Sequence, residues 1–213
     1  EPGNGMHFHI QLRKGGRNVF YDAGGYAGLS ETALCFIGGI LEHGRSLTAF
    51  TNPSTNSFKR LLPGFEAPLK LFFGLANRCA AIRIPKYATS EVAKRIEFRT
   101  GDGSCNYYLA MSALLMAGLD GVKNRILPSE TNAFGPFDDN VFDWPDEEQD
   151  RLRAIPASLE EALAALRVDH DYLLAGDVFN RELIDSWIDE KTKEVVAVRN
   201  RPHPFEMNLY YSL

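Results

Sequence analysis

Residues Lys94-Arg95-Ile96-Glu97-Phe98-Arg99 place two arginines and a carboxylate at every second position. Side chains of an extended strand alternate between faces. Arg95, Glu97 and Arg99 therefore share one face, and Ile96 and Phe98 the other. Met6-His7-Phe8-His9-Ile10 repeats the device, with two imidazoles in front and three apolar side chains behind. Neutral imidazole ligates Mn, Zn or Fe, and Mg less readily, since Mg prefers oxygen and retained water. Gly3-Asn4-Gly5 adds a backbone that can approach a ligand closely. Arg60, Arg78 and Arg83 bring the arginines of this half to five. Guanidinium is a planar, permanently charged fork for carboxylate and phosphate. Five arginines converging on Glu97 suit an ATP site, where a metal bridges phosphate oxygens and arginines neutralise charge during phosphoryl transfer. Taken singly, each arginine reads as a surface ion pair of little worth, and the two histidines as a hairpin edge. The alternation on two strands sets them together.

The elements that must position these residues follow from local signals. A strand over about Met6 to Leu12 turns at Lys14-Gly15-Gly16 and returns through Asn18 to Tyr21. Ser30 caps a helix from Glu31 through Leu34, Ile37 and Leu41 toward Phe50. Residues 51–68 are rich in turn formers and read as a long loop carrying Lys59, Arg60 and Glu66. Strands are expected at Leu69–Leu75, Ala80–Ile84 and Lys94–Arg99, then an apolar helix led by Ser104 from Tyr107 to about Lys123. Leu127 to Pro156 is an extended excursion. Ser158-Leu159-Glu160-Glu161 has capping-box form and opens a helix to about Leu174, with another over Arg181–Lys193. The class is α+β. Leu114, Leu115, Met116 and Leu119 read as a buried helix face, and His43, His170 and His203 as structural or exposed. Gly24-Gly25-Tyr26-Ala27-Gly28 lacks the strand-turn-helix setting of a phosphate cradle.

The chain has 213 residues, 45% hydrophobic and 24% charged, an ordinary globular balance. A net charge of −5 without a basic run argues against nucleic-acid binding. No apolar stretch reaches membrane-spanning length, and Cys35, Cys79 and Cys105 lack metal spacing, which points to a reducing cytoplasm. With no start methionine and an active-site strand near its first residue, the sequence reads as a fragment lacking an upstream portion.

Gly3-Asn4-Gly5-Met6-His7-Phe8-His9, the runs Gly24–Ser30, Asn52–Pro68 and Asn77–Pro85, and Arg95-Ile96-Glu97-Phe98-Arg99 resemble the C-terminal half of the type I glutamine synthetases. The resemblance continues through Met116–Gly121 and Arg201–Glu206, in order, over essentially the whole chain. It implies a partial catalytic domain over residues 1–213, with antiparallel strands forming a charged concave face flanked by helices. The N-terminal domain and first catalytic segment would lie upstream. It implies ATP-dependent joining of ammonia to the γ-carboxylate of glutamate through γ-glutamyl phosphate, as in glutamine biosynthesis. Two or more Mg2+ or Mn2+ ions would serve each site of a two-ring homododecamer. On the matching positions His7 and Glu97 become metal ligands, and His9, Arg78, Arg83 and Arg95 nucleotide or phosphate contacts. Gly3, Arg60 and Arg99 become glutamate contacts, Arg99 also acting with Arg78 on the transferring phosphoryl group, and Glu66 the flap carboxylate that shields the intermediate. Pro2, Val92 and Thr100-Gly101-Asp102-Gly103 depart from the pattern. They leave open a ligase using a polyamine or other amine; a non-catalytic assembly protein on the same fold is the reading from another class. Phe142 stands where many bacterial relatives carry the tyrosine that accepts AMP, and it has no hydroxyl.

Overall fold

The computed structural model describes residues 3–129 and 131–211, and Pro2 lies outside them. In chain order the elements are β1 (Phe8–Ile10), β2 (Arg13–Lys14), β3 (Arg17–Asn18), α1 (Glu31–Glu42), α2 (Gly44–Thr51), β4 (Lys70–Leu75), β5 (Ala80–Ile84), β6 (Ile96–Phe98) and α3 (Tyr107–Asn124). Then come α4 (Asp146–Gln149), α5 (Leu159–Val168), α6 (Asp171–Leu174), α7 (Arg181–Arg199) and α8 (Pro204–Tyr210). The hairpin β2–β3 turns on Gly15 and Gly16, both at positive φ.

β1, β6, β5 and β4 form one sheet in that order. β1 pairs antiparallel with β6, and β6 with β5. β4 runs parallel to β5, which corrects the purely antiparallel expectation. Alternation reads the same in either chain direction, so sequence pattern could not separate the two cases. The excursion after α3 covers the other edge of β4: Phe73 N donates to Phe134 O (3.0 Å), Phe137 N to Phe73 O (2.9 Å) and Leu71 N to Arg153 O (2.8 Å).

Ile82, Ile96 and Phe98 point behind the sheet into the main core, which they share with Phe36, Ile37 and Ile40 of α1 and Ala113, Leu114 and Ala117 of α3. Phe72 and Ala80 face a smaller cluster with Val141 and Leu152, against which Phe142 packs. α1 and α3 meet through glycines. A Cβ on Gly39 would stand 2.7 Å from Gly121 Cα, so neither position has room for a side chain.

Ser30 accepts from Ala33 N (3.2 Å) and starts α1 as expected. The helix toward Phe50 instead breaks at His43, which ends α1 and precedes α2. Likewise the helix from Ser158 stops at Val168 and resumes as α6. The two breaks meet. His43 Nδ1 lies 2.8 Å from Asp169 Oδ1 and His43 Nε2 lies 3.2 Å from Asp120 Oδ2. The ring stacks on Tyr172 at 3.9 Å, and Ser46 Oγ donates to Asp169 Oδ2 (2.8 Å). α3 is capped by Asn106 and not led by Ser104, whose hydroxyl turns to Asp102 (2.5 Å). Leu114 and Met116 of α3 are buried, but Leu115 and Leu119 are exposed; residues adjacent on a helix lie 100° apart and cannot all share one face. α7 runs on past Lys193 to Arg199, and α8 is an element the sequence reading did not foresee, capped by His203 and Glu206.

Candidate active site

Register builds the site. β1 and β5 flank β6 so that His9, Glu97 and Arg83 stand in one cross-strand row. Glu97 is 2% exposed and carries the row's one negative charge. Arg99 Nη1 donates to its Oε1 at 2.7 Å, His7 Nδ1 lies 3.0 Å from the same oxygen, and Arg83 Nη2 lies 2.8 Å from Oε2. The Arg83 N–H is not aimed at Oε2, which is left without a hydrogen bond although buried. Ile96 and Phe98 are on the opposite face, as alternation requires.

The rest of the site hangs from these strands. Arg95 donates from Nε to His9 Nδ1 (3.3 Å). Arg60 reaches back from the long loop, and its Nη2 donates to Thr100 O (2.6 Å), Arg99 O (3.1 Å) and Gly101 O (3.2 Å). Gly3 is required beneath it, since a Cβ there would meet Arg60 Cγ at 2.6 Å. Arg99 Nε donates to Arg78 O (3.2 Å), tying in the β4–β5 turn. On the rim Arg78 Nη1 donates to both oxygens of Glu66 at 3.0 Å. These two side chains are well exposed and stand apart from Glu97.

Burial, and then the Arg99 guanidinium, push His7 below the ordinary histidine pKa, against the pull of Glu97. His9 is lowered by burial, opposed by Glu97 and aided by Arg95. Both rings are thus neutral near pH 7. His7 Nδ1 faces Glu97, and Nε2 lies on the side of Gly5. A Cβ on Gly5 would lie 3.2 Å from His7 Nε2 and 2.8 Å from Arg60 Nη1, so glycine keeps that approach open. The imidazole of His7 and the carboxylate of Glu97 are donor types that fit two positions of a divalent-ion shell. Among the described residues no three His, Cys, Asp or Glu gather as a metal set, so other ligands have to complete it.

The structure therefore joins His7, His9, Arg60, Arg83, Arg95, Glu97 and Arg99 on one face, with Gly3 packed under Arg60 and the Glu66–Arg78 pair at its edge. The sequence reading missed Asn77. Its Nδ2 donates to Phe137 O (3.0 Å) and Asp139 O (2.8 Å), and its Oδ1 accepts from Cys79 N (2.9 Å), holding the turn that presents Arg78. A lone asparagine offers no spacing to read. Tyr87, beside Arg95, was also missed.

A family model described as glutamine synthetase, catalytic domain, matches residues 1–210. The chain is 53% identical to a glutamine synthetase of Neisseria gonorrhoeae and 51% identical to one of Streptomyces filamentosus, each over 214 residues. Those alignments take in 100% of this chain but only 44% and 45% of the relatives. The chain thus spans about half the length of the curated relatives it matches. Among solved structures, a Plasmodium falciparum glutamine synthetase superposes with a TM-score of 0.84 at 30% identity, covering 99% of this chain and 47% of that one. A GmaS/ADP complex gives 0.82 at 30% identity, covering 99% and 46%.

Proposed function

The chain belongs to the glutamine synthetase family, and from that premise we propose that its sheet face is the phosphate-handling wall of a glutamate–ammonia ligase. ATP would phosphorylate the γ-carboxylate of glutamate, and ammonia would displace phosphate to give glutamine. The observation that carries this reading is the charge balance: two buried carboxylates, Glu97 and Asp102, against Arg60, Arg83, Arg95 and Arg99. Fixed cations in excess on a partly buried wall stabilise an anion without reorganising.

Each residue then has a task. Arg60, with Gly3 at its stem, holds the glutamate carboxylate, and Arg99 reaches both glutamate and the transferring phosphoryl group. Arg83 and Arg78 balance charge as the phosphoryl group moves. His9 and Arg95 contact the nucleotide. Glu66 on its exposed loop closes over the intermediate, and its present bond to Arg78 is one it exchanges on closing. His7 and Glu97 would hold Mg2+ or Mn2+. Such an ion, when bound, neutralises phosphate oxygens and orients them for in-line transfer.

Assembly belongs to the same proposal. α8 exposes Phe205, Met207, Leu209 and Tyr210, an apolar surface suited to a facing subunit in a two-ring dodecamer. No helix among the described residues is long and apolar enough to cross a membrane, and a cytoplasmic setting is proposed.

The test is an assay of the full-length protein for ATP-dependent phosphate release with glutamate and a panel of amines. Release that needs glutamate and ammonium together, with glutamine as product, is the expected result. Turnover with polyamines but not ammonium would favour the other-amine ligase. The absence of turnover with every amine would leave the non-catalytic assembly protein.

A further inference from the structure

Each nitrogen of the Arg95 guanidinium makes one hydrogen bond. Its Nε donates to His9 Nδ1 (3.3 Å), Nη1 to Ala93 O (2.9 Å) and Nη2 to Tyr87 Oη (3.2 Å). It also lies 5.3 Å from the Tyr87 ring centroid, within cation–π range. Guanidinium has five N–H donors. Three are engaged in these bonds, and five minus three leaves two free, one on each terminal nitrogen. Tyr87 sits on the segment between β5 and β6 and is 66% exposed, so burial gives no reason for its ring to be there.

We propose that Tyr87 is a positioning residue for nucleotide binding, holding the Arg95 fork so that its two free N–H groups face an ATP anion. The proposal rests on the nucleotide role given to Arg95 above. An unheld arginine samples many rotamers and loses that freedom on binding. Stacking on one face and a hydrogen bond at one tip fix the fork before the ligand arrives.

Steady-state kinetics of full-length Tyr87→Ala, Tyr87→Phe, Arg95→Ala and the Tyr87→Ala/Arg95→Ala double variant test this. Tyr87→Ala should raise KM for ATP about two- to five-fold, the worth of an exposed cation–π contact, with kcat and KM for glutamate little changed. Tyr87→Phe keeps the ring and should fall between it and wild type. The double variant should match Arg95→Ala alone, because Tyr87 acts through that side chain. A full Tyr87→Ala effect persisting in the Arg95→Ala background would overturn the proposal by showing direct contact with the nucleotide. An unchanged KM for ATP in Tyr87→Ala beside a raised one in Arg95→Ala would overturn it alone. An unchanged KM in Arg95→Ala would remove the nucleotide role of Arg95 and the proposal with it.

Discussion

Around Glu97 one buried carboxylate faces Arg83, Arg99 and His7, whereas around His43 one imidazole faces two carboxylates, Asp120 and Asp169. Both clusters are built from the same chemistry with the signs exchanged. The first leaves cations in excess and a carboxylate oxygen without a hydrogen bond, on a face open to ligands. In the second, both ring nitrogens meet carboxylate oxygens, which only accept, so both carry hydrogen and the ring is an imidazolium. Ser46 and Asn124 take up further carboxylate lone pairs at 2.8 and 2.9 Å. An open cluster with spare charge serves a ligand; a closed one joins helices.

The largest expected effect separates the two roles of Glu97. Glu97→Gln strands Arg83 and Arg99 without their buried partner, and breaking such a pair costs about 3–5 kcal/mol. Denaturant unfolding should show that loss. A variant as stable as wild type would mean that the arginines tolerate each other, and that the cluster is not held together by Glu97. Next comes Arg99→Ala. Electrostatic contacts that strengthen in the transition state are worth on the order of hundreds-fold in kcat, and Ile96 and Phe98 should keep the strand packed. Near-normal turnover with collapsed stability would make Arg99 a structural ion-pair residue, like those around His43.

The smallest effect concerns pH. Burial alone would lower the His43 pKa, but hydrogen bonds and charge from Asp169 and Asp120 prevail and raise it above 6.5. Its stabilising contribution is therefore complete below the unfolded value near pH 6.5 and is lost as pH rises through the higher folded value. Tyr172 and Ser46 also face the ring but stay neutral through this range. His43→Gln should cost about 1.5–3 kcal/mol near pH 6, the worth of charged hydrogen bonds, and the gap to wild type should narrow in alkaline buffer. A gap that is constant with pH would mean that His43 is not an imidazolium in the fold.

Much of the front face was legible because a period of two is a strong signal when both faces are chemically distinct. β5 falls on Ala80–Ile84 as expected, and Glu97 and Arg99 share a face with His7 and His9. The break at His43 was not legible. Apolar residues continue in helical spacing through Leu47 and Phe50, and the bend is fixed by Asp120 and Asp169, remote in sequence. The parallel entry of β4 was hidden because alternation reads the same in either direction, and the anchoring by Asn77 because its partners lie in the 137–139 segment, whose composition says only that it is irregular.

The glycine contact between α1 and α3 has a mechanical consequence. With Gly39 and Gly121 backbone against backbone, no side chain stands between the helices to change rotamer and let them slide. The two helices behave as one stiff beam, with His43 at its end and Asp120 fixed to its flank. Asp169, by contrast, meets His43 from a corner, where α5 ends and the chain turns into α6.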